Sequence, residues 1–128
     1  MMKALLIEDE TAAARNLAAV LREVAPGVQI VATLERVAES IEWLRSNPQP
    51  DLLFMDIHLA DGDSFRIFGA VEVTAPVIFT TAYDRYALEA FKVSSIDYLL
   101  KPINADDVWR ALEKLRRLTS GERLDYGS

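Results

Sequence analysis

Short apolar runs alternate with amphipathic segments along the chain. The apolar runs predict five β-strands, at Ala4–Ile7, Val28–Ala32, Leu52–Met55, Val77–Phe79 and Ile96–Leu100. The first, third and fourth runs are apolar on both faces, which is typical of strands buried in a parallel sheet. Between the runs, apolar residues recur three or four positions apart, as they do along one face of a helix. Those residues are Ala14, Leu17, Leu21 and Val24, then Val37, Ile41 and Leu44, and finally Val108, Leu112, Leu115 and Leu118.

Weaker patterns complete the alternation. Asp63–Val71 predicts a short third helix, and Asp84–Phe91, which is rich in large apolar side chains, predicts a fourth. Asn104 is a good N-cap for the last helix, because Asp106 and Asp107 then lie in its first turn. Five strands alternating with five helices predict an open α/β sandwich.

Composition and charge narrow the possible functions. The chain has 128 residues, the size of one domain, and no cysteine, which excludes disulfides and thiol catalysis. Its net charge of -6 repels phosphates, so we expect no direct binding of nucleic acid by this chain. No apolar run approaches the ~20 residues of a membrane span, and the expected location is the cytoplasm, away from the membrane. Residues 119–128 are polar and aperiodic, which predicts a frayed tail or the start of a linker.

Polar side chains follow four of the predicted strands at their carboxyl ends, where open α/β sheets bind ligands. They are Glu8, Asp9 and Glu10 after the first strand, Asp56 after the third, Thr80 and Thr81 after the fourth, and Lys101 with Pro102 after the fifth. Clustered carboxylates repel one another unless a cation joins them, and Mg2+ prefers oxygen ligands. A metal, a hydroxyl and an ammonium group together suit phosphoryl transfer. Asp56 is then the predicted nucleophile, which forms an acyl phosphate.

Four motifs carry a resemblance to a known family. They are LLIEDE at the first strand, LLFMDIHLADG at the third, VIFTTAYD at the fourth and DYLLKPI at the fifth. In this order and spacing, the chain resembles the receiver domain of two-component response regulators over nearly its whole length. The IDYLLKPI ending and the acidic pair that begins with Glu8 are most similar to receivers that control a LytTR-type DNA-binding domain.

The resemblance implies a fold and a domain boundary. The fold is a CheY-like, doubly wound (βα)5 domain whose parallel sheet has the strand order 2-1-3-4-5. The receiver domain is expected over residues 1–118. Residues 119–128 then form a tail or the start of a linker to an output domain, which the ten residues after Leu118 are too few to form.

The resemblance also implies a Mg2+ site. Glu8 and Asp9 match the acidic pair that holds the ion, and Asp56 matches the phosphoacceptor, which is also a metal ligand. His58 matches the position whose backbone carbonyl completes the metal shell. The family more often begins the acidic pair with Asp, so Glu8 is one methylene longer than the common pattern.

Other roles follow from position in the same motifs. Thr81 matches the hydroxyl that bonds the phosphoryl group, and Lys101 matches the lysine that pairs with it. Pro102 matches a cis proline that aims the lysine, and Tyr98 matches the aromatic that swings inward on phosphorylation. Ala82 matches a small residue that leaves room for the phosphodonor.

The expected function is a phosphorylation-dependent switch. A sensor histidine kinase supplies the phosphoryl group, and the chain catalyses only its own phosphorylation and slow dephosphorylation at Asp56. Phosphorylation is expected to favour a homodimer through the face formed by the fourth helix, the fifth strand and the fifth helix. The output is then transcription, through a DNA-binding domain absent from this chain.

Two other functions are compatible with parts of the sequence. A haloacid-dehalogenase-type phosphatase also places an Asp nucleophile after a strand, but it needs a second Asp where His58 stands. An interaction module that keeps the fold without phosphorylation would not need Asp9, Asp56, Thr81 and Lys101 together.

Simpler interpretations apply to single residues. Glu10 is interpreted as favourable charge at a helix N-terminus and is left out of the site. Thr81 is preferred to Thr80 by the resemblance alone, because alternation on a strand sends the two side chains to opposite faces. Tyr98 also suits core packing, and the side chain of His58, the only histidine, is expected to face solvent.

Overall fold

A computed structural model describes residues 2–82 and 97–119 of the chain. Within these ranges the strands are β1 (Lys3–Ile7), β2 (Gln29–Leu34), β3 (Leu52–Asp56), β4 (His58–Leu59), β5 (Gly62–Asp63), β6 (Val77–Thr81) and β7 (Asp97–Leu100). The helices are α1 (Thr11–Val24), α2 (Val37–Ser46), α3 (Phe65–Ala70) and α4 (Ala105–Thr119). Across the same two ranges, none of the helices has the length and apolar character needed to cross a membrane.

The main sheet has five parallel strands in the order β2-β1-β3-β6-β7. When the five strands of this sheet are numbered along the chain, without the short β4 and β5, the order is the predicted 2-1-3-4-5. The predicted fold class is confirmed. All five residues of β3 and all five of β6 are buried, as the continuous apolar runs predict. The strands that lead to the predicted acidic residues, β1 and β3, are neighbours in the sheet. On the other side of β3 lie β6 and then β7.

The sheet separates two apolar clusters because successive side chains on each strand point to opposite faces. Leu6 and Phe54 belong to the cluster covered by α1 and α4, whereas Leu5 and Met55 belong to the one covered by α2 and α3. The helices contribute Leu17, Leu21, Val108, Ala111 and Leu115 to the first cluster, and Val37, Leu44 and Ile67 to the second. Within residues 2–82 and 97–119, helices therefore cover both faces of the sheet, and the acidic residues of the candidate site lie at the strand ends.

Around β3 and α3, the structure departs from the predicted elements in two places. A two-stranded antiparallel hairpin, β4 and β5, follows β3, and it pairs His58 with Asp63 and Leu59 with Gly62. Two-residue strands are too short to produce an alternating pattern, so the sequence does not indicate them. Helix α3 is shorter than the predicted 63–71 because the hairpin takes the first of those residues. The predicted fourth helix, residues 84–91, lies outside the described residues.

Asn104 caps the last helix, as predicted. Its Oδ1 accepts a hydrogen bond from the backbone N–H of Asp107 at 2.9 Å, and its Nδ2 lies 3.0 Å from a carboxylate oxygen of the same residue. Asp106 and Asp107 lie in the first turn of α4.

We expect Asn104→Ala to lower the free energy of unfolding by about 1 kcal/mol, because the N–H of the first turn loses its acceptor. Urea denaturation at neutral pH measures the loss. Asn104→Ser keeps a side-chain acceptor and should retain most of the stability. Equal stability of the two variants would contradict the assigned cap.

Candidate functional site

Acidic side chains from β1 and β3 meet at the carboxyl edge of the sheet. Glu8 and Asp9 directly follow β1, and Asp56 is the last residue of β3. Glu8 and Asp56 are each only 5% exposed, because both continue strands that are buried on both faces. Carboxylate oxygens of Glu8, Asp9 and Asp56 lie within 4.8 Å of one another. The structure therefore brings together the three acids that the sequence predicts to be metal ligands.

Lys101, which follows β7, provides the positive charge at this acidic cluster. Its Nζ lies 2.7 Å from Oε1 of Glu8 and 3.1 Å from Oδ2 of Asp56. The lysine side chain is 14% exposed, so these contacts lie largely out of water. Its backbone N–H donates to the carbonyl of Thr81 at 2.8 Å, which fixes the start of the side chain beside the end of β6. The Lys101–Pro102 peptide bond is cis.

Glu10 also contacts the lysine, although the sequence pattern predicts it to lie outside the site. Its Oε1 lies 3.5 Å from Nζ of Lys101, and its backbone N–H donates to Oε2 of Glu8 at 3.0 Å. The interpretation of Glu10 as charge at a helix N-terminus alone is therefore incomplete. The sequence signal for a role in the site was that Glu10 stands only two residues after Glu8. Because its side chain is 71% exposed, its pairing with Lys101 is screened by solvent.

Burial and charge shift the proton affinities of the pair formed by Glu8 and Lys101. Desolvation raises the pKa of Glu8 above its ordinary value of 4.5, and the nearby charge of Asp56 raises it further. The hydrogen bond from Lys101 lowers this pKa but does not cancel the rise. Burial lowers the pKa of Lys101, but the hydrogen bond to Glu8 and the charge of Asp56 outweigh it, so this pKa is raised above 10.5. At neutral pH the lysine is thus held in its charged form between two acids.

The loop after Asp56 is anchored by backbone hydrogen bonds. Oδ1 of Asp56 accepts the N–H of His58 at 3.2 Å. The N–H of Ile57 donates to the carbonyl of Thr80 at 3.1 Å, and the N–H of Ser64 donates to the carbonyl of Ile57 at 2.8 Å. The main chain of His58, the predicted fourth metal ligand, therefore lies next to the carboxylate of Asp56, while its side chain is exposed.

The remaining predicted residues lie on or directly after β6 and β7, and they differ in burial. Thr80 pairs in register with Asp56, and Thr81 pairs with Leu100 on β7; both threonines are buried. Tyr98 is half-buried against the second apolar cluster and pairs with Phe79, so it packs into the core as the sequence analysis allowed. Ala82, the residue after β6, is exposed.

Fold and site together define an α/β domain with one acidic, lysine-containing centre at the carboxyl edge of a parallel sheet. The chain belongs to the response regulator receiver domain family, whose sequence profile matches residues 4–113. It is thus the receiver domain of a response regulator, which is a signalling switch. The resemblance inferred from the four motifs is confirmed.

Curated relatives support the LytTR-type assignment. The chain is 40% identical over 118 residues to the sensory transduction protein LytT of Enterococcus faecalis, covering 88% of this chain and 47% of that protein. It is 36% identical over 118 residues to the transcriptional regulatory protein LytR of Staphylococcus aureus, covering 90% of this chain and 47% of that protein. The chain therefore spans about half the length of these relatives.

Solved structures show the same fold. The response regulatory domain of protein mrkE from Klebsiella pneumoniae superposes with a TM-score of 0.77 at 26% identity, covering 95% of this chain and 99% of that one. The response regulator PhyR from Brucella abortus gives a TM-score of 0.80 at 22% identity, covering 98% of this chain and 51% of that one. The second likeness concerns the fold alone.

Proposed function

We propose that this receiver domain takes a phosphoryl group from the phosphohistidine of a sensor histidine kinase onto Asp56, with Mg2+ as cofactor. The observation that supports this most is the position of Asp56, which shares one small, buried cluster with two further acids and the ammonium group of Lys101. Membership of the receiver family supports the kinase as the donor.

The donor set suits a magnesium ion. Three carboxylate oxygens within 4.8 Å of one another, all from acids at the sheet edge, are the hard oxygen ligands that Mg2+ prefers. Glu8, Asp9 and Asp56 would hold the ion, and the backbone carbonyl of His58 is proposed as a fourth protein ligand. When bound, the ion neutralises charge on the phosphoryl oxygens and on the carboxylates.

The proposed reaction forms one bond and breaks another. A carboxylate oxygen of Asp56 attacks phosphorus and forms an acyl phosphate, while the P–N bond to the kinase histidine breaks and its electron pair stays on the imidazole. Lys101 already contacts this carboxylate, so its ammonium group is positioned to pair with the incoming phosphoryl oxygens. The hydroxyl of Thr81 is proposed to donate a hydrogen bond to them. Slow attack of water on phosphorus returns Asp56 to its free form.

The phosphoryl group is proposed to act as a switch because it draws Lys101 and Thr81 toward one conformation. Tyr98 lies half-buried on β7, the strand that leads to Lys101, so a change in its packing can report phosphorylation at the surface. We propose dimerisation through β7, α4 and the segment before β7 as the readout. The greater length of LytT and LytR supports a LytTR-type output domain and control of transcription in the whole protein.

Intact-mass measurement after incubation with acetyl phosphate tests the proposal directly. We expect the gain of one phosphoryl group in the presence of Mg2+ and none after chelation with EDTA. Borohydride reduction of the acyl phosphate, followed by peptide mapping, should place the modification on Asp56.

Two results would count against the proposal. Absence of any gain with Mg2+ would favour an interaction module that does not use phosphorylation. Continuous turnover of small phosphate esters, without a stable phosphorylated form, would favour a phosphatase of the haloacid-dehalogenase type.

A further inference from the structure

The N-terminus of α2 is capped by a residue from a distant part of the chain. Arg36, the residue before the helix, has extended backbone and gives no side-chain cap. Instead, the N–H of Val37 donates to Oδ1 of Asp61 at 2.7 Å, and the N–H of Ala38 donates to Oδ2 of Asp61 at 3.1 Å. Each oxygen of one carboxylate thus satisfies one otherwise unpaired helix N–H.

Asp61 lies in the turn of the β4–β5 hairpin, whose first residue belongs to the candidate metal site. His58 pairs across the hairpin with Asp63, and its N–H donates to the carboxylate of Asp56. Leu59 is 8% exposed and belongs to the same apolar cluster as Val37 on α2. The hairpin is therefore tied to α2 by the carboxylate of Asp61, and its Leu59 shares an apolar cluster with that helix.

The same turn is also hydrogen-bonded to α3, through Arg66. Nη1 of Arg66 donates to the carbonyl of Asp61 at 3.2 Å. The side chain of Arg66 passes over Gly62, where a Cβ atom would lie only 2.5 Å from Nη1. Gly62 also has a φ of 141°, a backbone conformation that residues with a side chain rarely adopt. The sequence Asp61-Gly62 thus permits a turn that is bonded to α2 on one side and to α3 on the other.

The charge of Asp61 strengthens its bonds to the helix. Partial burial raises the pKa of Asp61, but the hydrogen bonds from Val37 and Ala38 outweigh it and hold this pKa below its ordinary value of 3.8. The carboxylate is therefore ionised at neutral pH, and negative charge at a helix N-terminus is favourable.

We propose that Asp61 is a positioning residue for the metal site: by capping α2, it anchors the hairpin that places the main chain of His58 beside Asp56. This inference rests on the proposed function, because it concerns the ligand set of the proposed magnesium ion. Asp61 touches neither the ion nor the phosphoryl group. Its effect passes through the hairpin backbone to His58.

The test compares Asp61→Ala with two other variants in the full chain. Asp61→Asn keeps one acceptor oxygen for the helix. Glu39→Ala is the matched control, because Oε1 of Glu39 accepts the N–H of Glu35 at 2.8 Å, at the same end of α2 but away from the hairpin. Calorimetric titration with MgCl2 gives the affinity, and amide hydrogen exchange of His58 in the metal-free protein reports the anchoring.

We expect Asp61→Ala to weaken Mg2+ binding about tenfold, in the lower part of the range for residues that support metal ligands indirectly. Exchange at the His58 amide should accelerate in the same variant, Asp61→Asn should fall between it and the wild type, and Glu39→Ala should change neither quantity. Unchanged affinity and unchanged His58 exchange in Asp61→Ala would overturn the inference. A wild-type chain that binds no Mg2+ would instead overturn the proposed metal site, and the exchange of His58 would still decide whether Asp61 anchors the hairpin.

Discussion

Asp56→Asn is expected to abolish phosphorylation of the chain by acetyl phosphate, with incorporation falling to background at saturating Mg2+. An amide in place of the carboxylate is not a nucleophile toward phosphorus under these conditions, and it also removes one charged metal ligand. The amide oxygen can still accept the N–H of His58, so the loop after β3 keeps its anchor. Intact-mass analysis over a time course measures the loss.

Asp51→Asn is the matched control for this experiment. Asp51 precedes the same strand at its opposite end, where it is exposed and accepts the N–H of Lys3 at 2.7 Å. This variant should gain a phosphoryl group at the wild-type rate. Mg2+-dependent phosphorylation of Asp56→Asn at a comparable rate would show that another residue is the phosphoacceptor.

Lys101→Met is expected to destabilise the metal-free domain by about 3 kcal/mol at neutral pH, as when one partner of a buried ion pair is removed. Methionine keeps much of the side-chain volume but leaves Glu8 and Asp56, each 5% exposed, without their shared cation. Denaturation with urea measures the loss. Lys114→Met, at an exposed lysine on α4, should change stability little.

The pH dependence of this loss follows from the two shifted groups. Burial already raises the pKa of Glu8, and removal of the hydrogen bond from Lys101 raises it further. At pH values above 4.5, the ordinary pKa of Glu8, this shift lowers the free energy of unfolding of the variant. The penalty disappears as the pH falls toward 4.5. In the wild type, the stabilisation from Lys101 is present below 10.5 and is lost as the pH rises through its raised pKa. The difference between the two proteins should therefore be largest between these limits.

Addition of Mg2+ separates this electrostatic effect from lost packing. A divalent cation binds to the folded site and stabilises it by mass action. The ion should stabilise Lys101→Met more than the wild type, because the variant's carboxylates have no ammonium group between them. A loss of stability that is independent of both pH and Mg2+ would show that the methylene groups of Lys101, rather than its charge, support the fold.

The candidate site could largely be predicted from the sequence, for a physical reason. Parallel strands buried on both faces are apolar throughout, so the first polar residue after each run marks a strand end. Asp56 is identified in this way. Lys101 follows β7, an edge strand that is only partly buried, and it is identified as the first polar residue after the run that ends at Leu100. The topology of the sheet then brings the strand ends together. The hairpin after Asp56 could not be predicted, because two residues per strand give no periodic signal.

The sequence by itself determined the elements, their α/β alternation and the residue types at the strand ends, because periodicity and local capping act over a few neighbouring positions. Only the tertiary structure decided which of those residues touch. Lys101 meets an acid 45 positions earlier, and Asp61 caps a helix that begins 24 positions before it. Such contacts depend on strand order and on how the hairpin packs against α2, and no local pattern records them. The inclusion of Glu10, at 3.5 Å from the lysine, was decided in the same way.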